Sequence, residues 1–207
     1  MNTNYSDDPV MTLFSDQGER KYLNKEERKR FYKARKIITD LSERTFVELI
    51  FWTGCRISEA LNLMIMRINV EDSFVVFKTL KQHGKNKDKK FRIVHVPRKF
   101  MKKLERVHRI LETLRNALAD HARLLWRFGR QKGWRLVKVV MTKASIFGIR
   151  ATPKGLRHTF GVHCILCGVP ETRLKEWLGH ASLRTTNIYV KVAKREDREF
   201  ARKTWAF

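Results

Sequence analysis

The stretch "LGHASLRTTNIYV", Leu178 to Val190, sets His180, Arg184, Thr185, Thr186 and Tyr189 within thirteen residues. A phenol with a pKa of about 10 is a usable nucleophile toward a phosphate and a good leaving group in the reverse step, so Tyr189 can take a phosphoryl group from one oxygen and hand it to another. The pentacoordinate transition state of such a transfer gathers negative charge on its non-bridging oxygens. Guanidinium forks hold those oxygens through paired, charge-assisted bonds, and Arg56 and Arg157 offer two of them. The departing oxygen needs a proton, for which a positioned lysine or histidine is the natural donor. The bond energy is kept in the protein–phosphate link, so a nucleic-acid strand cut this way is rejoined without metal or nucleotide cofactor.

Each residue taken singly has an ordinary explanation. Arg56 could bind carbonyls at a helix joint, Arg157 and His158 could be a solvated first turn, and Tyr189 could be a core aromatic with its hydroxyl outward. Their order and surroundings favour chemistry. "TGCRISEAL" is followed by "KGLRHTFG", then by "EWLGHASLRTTNIYV", in which the tyrosine stands nine residues past the histidine of L-G-H.

These three boxes resemble those of the tyrosine site-specific recombinases, also called the phage integrase family, over about Tyr22 to Val192. The resemblance implies that Arg56 and Arg157 clamp the scissile phosphate and that Tyr189 attacks it to form a 3′-phosphotyrosyl link. It also implies that His180 bonds to the phosphate or assists proton transfer, and that Glu59 braces the cations. The family places its general-acid lysine at the end of the first hairpin strand. Lys81 is in that register, with Lys78, Lys85 and Lys87 as alternatives, and Lys78 turned to the opposite strand face from Lys81. One position departs from the family: Lys154 stands where H-x-x-R has its histidine, giving K-x-x-R here. A lysine there stays charged at neutral pH and serves electrostatic stabilisation of the phosphate.

The elements that must position these residues are mostly helical. Asn24 and Glu27 have the spacing of a capping box at a helix start. A second helix over Leu41–Thr53 ends at Gly54, and Ser58 is a candidate cap for the next, which puts Arg56 in the joint between them. "SFVVFKTLK" and "FRIVHVP" have strand character and read as a hairpin with a long lysine-rich loop. Helical character runs from about Arg98 to Arg127 and through "GWRLVKVVMTKA", then resumes after Thr152 and Pro153, a good cap and first-turn pair. "ETRLKEWL" forms a further helix that stops at Gly179, and Ser182 is placed to cap the last, which carries Tyr189. The expected class is therefore α+β: mostly α-helical, with one small antiparallel sheet. Residues 1–20 read as a loose arm, 21–192 as the catalytic domain and 193–207 as a tail that docks on a neighbouring protomer.

The chain has 207 residues, and its 45 Lys and Arg against 21 Asp and Glu give a formal charge of +24. That excess points to a polyanionic partner, nucleic acid first, and the resemblance implies that it is double-stranded DNA. The lysine run supplies Lys85, Lys87, Lys89 and Lys90 as phosphate contacts, with Arg184 as another, whereas Lys102, Lys103, Arg106 and Arg109 read as a solvated helix face. The group His158, His163, Cys164 and Cys167 looks like a zinc set at first glance. No second C-x-x-C accompanies it, and Cys164 and Cys167 read as buried small hydrophobes, so no metal is expected. Three cysteines and no leader-like or membrane-length apolar run lead to an expected location in the bacterial cytoplasm or nucleoid.

Family members usually carry an N-terminal domain that closes around the other face of the duplex, and none is expected within the roughly 20 residues ahead of Tyr22. The expectation is a one-sided grip with steep salt dependence, and tetramer formation on paired sites for integration, excision, inversion or resolution of a mobile element. The rival expectation is a DNA-binding accessory relative with weak or no catalysis. A type IB topoisomerase shares the chemistry without needing paired sites.

Overall fold

The computed structural model describes residues 13–79 and 91–193. Among these the helices are α1 (Lys25–Ala34), α2 (Leu41–Thr53), α3 (Ile57–Leu61), α4 (Arg98–His108), α5 (Ile110–Arg115), α6 (Arg130–Lys143), α7 (Pro153–Leu166), α8 (Glu171–Leu178) and α9 (Arg184–Ala193). One antiparallel sheet, in the order β1 (Ile68–Asn69), β2 (Phe74–Lys78) and β3 (Phe91–His95), completes the fold. This is the mostly helical α+β class expected, with a short third strand added to the hairpin. No helix among the described residues is long and apolar enough to cross a membrane.

The helix ends follow from local chemistry. Asn24 accepts from the Glu27 N–H while Glu27 accepts from the Asn24 N–H, the reciprocal cap that opens α1. α2 is buried on nearly all sides and stops at Gly54, whose φ of 61° is the left-handed conformation that glycine tolerates. Thr152 caps α7 through the Gly155 N–H, with Pro153 in the first turn.

Three helix readings change. Arg56, not Ser58, caps α3, because Glu59 reaches back to the Arg56 N–H and fixes the start two residues earlier. The segment Arg98–Arg127 is not one helix: Arg109 takes a left-handed φ of 52° between α4 and α5, and turns follow α5. Leu183, not Ser182, opens α9, since its carbonyl accepts the first helical N–H groups, from Thr186 and Asn187.

Two apolar cores meet at the functional residues. The larger gathers α1 to α6 and the sheet around Phe46, Ile50, Trp126 and Val140. The smaller gathers Leu13, Tyr22, Phe160, Leu174, Leu178, Ile188 and Tyr189, so α7, α8 and α9 share it with the segment ahead of α1. Leu13, inside the stretch read as a loose arm, is thus part of the packed core. Trp177 packs against both cores, and Leu23 N–H donates to Thr159 Oγ1 at 2.8 Å across the join.

Gly155 lies where α7 passes the Arg150 carbonyl, and a Cβ there would sit 1.9 Å from that oxygen. Both groups are backbone, so the clash has no side chain to absorb it. Gly155→Ala is expected to lower unfolding free energy by at least about 2 kcal/mol in urea melts. Gly129→Ala, with nothing within 4 Å of the added carbon, should stay within about 1 kcal/mol of the parent.

Candidate active site

One carboxylate organises the site. Glu59 sits on the third residue of α3, its side chain fully buried, and accepts the Arg56 N–H at 2.8 Å and Arg56 Nη1 at 2.8 Å. The same two oxygens accept Arg92 Nη1 at 3.2 Å and Arg92 Nη2 at 2.7 Å, while Arg157 Nη1 lies 4.0 Å away. Burial alone would push the Glu59 carboxyl up. The Arg92 charge and hydrogen bonds, the Arg56 N–H and the Arg157 charge outweigh it and hold the carboxyl below its ordinary range.

Arg92 reaches this position because β3 alternates. Arg92, Val94 and Val96 face inward while Phe91, Ile93 and His95 face out. Its guanidinium also lies over the Phe77 ring at 5.0 Å, and its Nε donates to the Trp177 carbonyl at 2.8 Å. Every side of Arg92 is thereby occupied, and it acts as a brace.

Arg157 is held by helix ends. Its Nη1 donates to the Gly54 carbonyl at 2.9 Å and its Nη2 to the Leu178 carbonyl at 2.6 Å, at the C-terminal ends of α2 and α8. A cation is favoured at such ends, where carbonyls are left without helical partners. Burial, then the Arg56 charge, lowers Arg157 to about 10, so it remains a guanidinium at neutral pH. Arg56 keeps 35% of its side chain exposed and is the more accessible fork.

His180 follows the left-handed Gly179 that ends α8. Its Nδ1 pairs with Thr186 Oγ1 at 2.9 Å, and its ring stacks with Tyr189 at 6.1 Å between centroids. Burial, then Arg157 and Arg56, push His180 down to about 3, so the ring is neutral at pH 7. Tyr189 has no solvent exposure. Its ring lies on Gly161, where a Cβ would come within 2.6 Å of it, and its hydroxyl is 3.2 Å from His158 Nδ1. Burial raises the phenol to about 12 against the opposing charges of Arg157 and Arg56.

The structure therefore brings together Arg56, Glu59, Arg157, His180 and Tyr189. Lys154 is exposed in the first turn of α7, close enough for its charge to act on His158, and Arg184 is exposed at the start of α9. Lys81, Lys85, Lys87, Lys89 and Lys90 lie outside the described residues. Lys78 is exposed and pairs with Phe91 on the outward face of the sheet, away from Arg92.

Sequence reasoning missed Arg92, His158 and Thr186 as site members. An arginine at an inward position of "FRIVHV" was the available signal for the first. For His158 the signal was its place beside Arg157 on a helix buried nearly all round; Thr186 carried none beyond its motif. Two further readings change: Cys167 is exposed while Cys164 is buried, and Lys103 binds both oxygens of the buried Glu48 at 2.8 Å instead of standing in solvent. No group of three or more His, Cys, Asp or Glu side chains arranged to hold a metal ion occurs among the described residues.

Glu59→Gln removes one partner from a buried charged group, and unfolding in urea at pH 7 should show a loss of about 3–5 kcal/mol. The folded carboxyl titrates below the unfolded value of about 4.3, so its charge stabilises the fold at higher pH and the benefit disappears as pH falls through the lowered folded value. The gap between parent and variant should accordingly narrow as melts are moved from about pH 5 downward.

Known proteins resemble this chain in sequence and in fold. Residues 21–196 match the model of the phage integrase family. The tyrosine recombinase XerA of Pyrococcus furiosus is 31% identical over 168 residues, covering 77% of this chain and 53% of that protein. The crystal structure of a XerA recombinase superposes with a TM-score of 0.67 at 28% identity, covering 87% of this chain and 65% of that one. A post-cleavage complex of the XerH site-specific recombinase bound to palindromic difH substrate superposes with a TM-score of 0.67 at 25% identity, covering 87% of this chain and 52% of that one. The chain thus spans about half the length of the curated relatives it matches. Matched over most of its length, with the arginines, histidine and tyrosine of its sequence boxes gathered in one place, the chain belongs to the phage integrase family.

Proposed function

We propose that this chain cuts and rejoins DNA strands as the catalytic domain of a site-specific tyrosine recombinase, with Tyr189 carrying the cut strand. The observation that supports this most is that one buried carboxylate, Glu59, collects Arg56, Arg92 and Arg157 next to His180 and Tyr189. One carboxylate does not neutralise three guanidiniums, and the uncompensated charge suits an incoming phosphodiester.

The steps follow from the groups present. Arg56 and Arg157 hold the non-bridging oxygens, with Arg157 already aimed by its two carbonyl partners. Tyr189 Oη attacks phosphorus, the bond from phosphorus to the 5′ oxygen breaks, and a 3′-phosphotyrosyl ester forms. His180, whose basicity recovers beside the phosphate charge, accepts the phenol proton. Lys81 gives a proton to the 5′ oxygen, and Lys154 adds positive charge near the entry of α7. Attack by a 5′ hydroxyl from the same or another strand reverses the step and frees Tyr189.

Residues 21–192 serve as the catalytic domain and 193–207 as a tail that docks on a neighbouring protomer, so that a tetramer forms on paired sites. Lys85, Lys87, Lys89, Lys90 and Arg184 hold DNA phosphates. The post-cleavage XerH complex, a protein of the same fold solved on DNA, supports duplex DNA as the partner. A second reading, a DNA-binding relative with little catalysis, is favoured by the full burial of Tyr189 and by Lys154 in place of histidine.

A nicked suicide substrate carrying the recognised site separates the two readings. Wild type should give a covalent protein–DNA band on a denaturing gel, Tyr189→Phe none, and Arg157→Ala a rate lower by about 10²–10³-fold; no band from wild type, or an equal one from Tyr189→Phe, would support the accessory reading. Replacing Lys85, Lys87, Lys89 and Lys90 together with Gln should reduce the slope of log binding constant against log salt by about 3–4, as read by anisotropy titrations on duplex DNA.

A further inference from the structure

Tyr189 is buried in a way that its proposed chemistry does not need. In-line attack requires the hydroxyl oxygen to come within about 3.5 Å of phosphorus, and a side chain with no accessible surface cannot be approached to that distance. Among the described residues the hydroxyl has one hydrogen-bond partner, Nδ1 of His158 at 3.2 Å, and it bonds to neither arginine. His158 is itself buried, 3% exposed, on the same face of α7 that seats the Tyr189 ring on Gly161.

We propose that His158 is a positioning residue that latches the nucleophile, its Nδ1 accepting the Tyr189 hydroxyl and keeping it inside the α7–α9 core until bound DNA draws α9 outward. This rests on the reading of Tyr189 as the nucleophile. The chemistry of both partners fits a latch. A buried hydroxyl without an acceptor is costly, so the bond to His158 is what makes the inward position tolerable. Burial, then the Lys154 and Arg157 charges, hold the His158 ring down at about 3. The ring is therefore neutral and able to accept at physiological pH, while being too weak a base to take the phenol proton outright. Those two cations stand in the turns of α7 that a phosphate would approach, and an anion there relieves the ring of their charge. The link Ala181–Leu183 between the Gly179 cap of α8 and α9 is exposed, and an outward turn of α9 over it would also release Thr186 from His180 Nδ1.

Nitration of the full-length protein with tetranitromethane, mapped by peptide mass spectrometry, tests the latch without DNA. In wild type, Tyr189 should react far more slowly than the half-buried Tyr32. His158→Leu should raise Tyr189 nitration about tenfold or more, the scale set by one lost buried hydrogen bond. Tyr22, 1% exposed in the same core, should stay as slow as in wild type. His158→Asn, which offers an acceptor near the Nδ1 position, should stay close to wild type. The proposal is overturned if Tyr189 remains protected in His158→Leu, or if Tyr22 opens in step with it, since that would mean a general loss of packing. Nitrogen NMR of the wild-type histidines gives a second test that needs no variant. The His158 ring should carry its proton on Nε2 at neutral pH, and a proton on Nδ1 would sink the latch because Tyr189 could not donate there. Neither readout depends on strand cleavage, so failure of the latch is distinct from failure of the recombinase reading.

Discussion

A protein that must hold a phosphodiester needs guanidiniums close together, and like charges held close together repel. Glu59 resolves that conflict. Its carboxylate takes the Arg56 N–H and side chain, both terminal nitrogens of Arg92, and the field of Arg157. Desolvating a carboxylate costs several kcal/mol, and the arginines offset it; desolvating arginines costs likewise, and the carboxylate offsets that. Neither side of the cluster is stable in that place alone. Because its members come from α3, β3 and α7, the cluster also sets how those elements meet.

The rest of the site follows from that junction. Arg157 spends its other donors on the ends of α2 and α8, so the helices that bear the boxes are tied through the residue they serve. Gly54 and Gly179 end these helices in left-handed turns and leave the carbonyls open for the guanidinium. His180 then emerges beside Arg157, and α9 returns across α7 with Tyr189 against Gly161. The arginine half of the site is thus braced by charge, while Tyr189 is held by apolar packing and one hydrogen bond.

Much of this was legible in the sequence for local reasons. α2 and its Gly54 stop, the Asn24–Glu27 cap, and the Thr152–Pro153 start of α7 depend on residues within four positions of one another, and each stands where local chemistry puts it. Arg56, Arg157, His180 and Tyr189 were found through their boxes. What escaped depends on distant pairings. Arg92 joins Glu59 across 33 positions, and only the register of β3 marks it as inward. The His158–Tyr189 bond spans 31 positions, and neither residue's neighbours announce it. Ser58 is the usual kind of cap and so stands out by residue type, whereas the glutamate that binds the arginines reaches back to the Arg56 N–H and starts α3 earlier. Lys81, the expected proton donor, lies outside the described residues.

The claim that the Glu59–Arg92 pair underpins the clamp is tested most directly by a double-mutant cycle on unfolding free energy at neutral pH, with Glu59→Gln, Arg92→Met and the double variant. Each single change should be costly because it strands a buried charge, and the double variant should recover part of the loss, giving a coupling of about 2 kcal/mol or more. A coupling near zero, with the two losses simply adding, would contradict it.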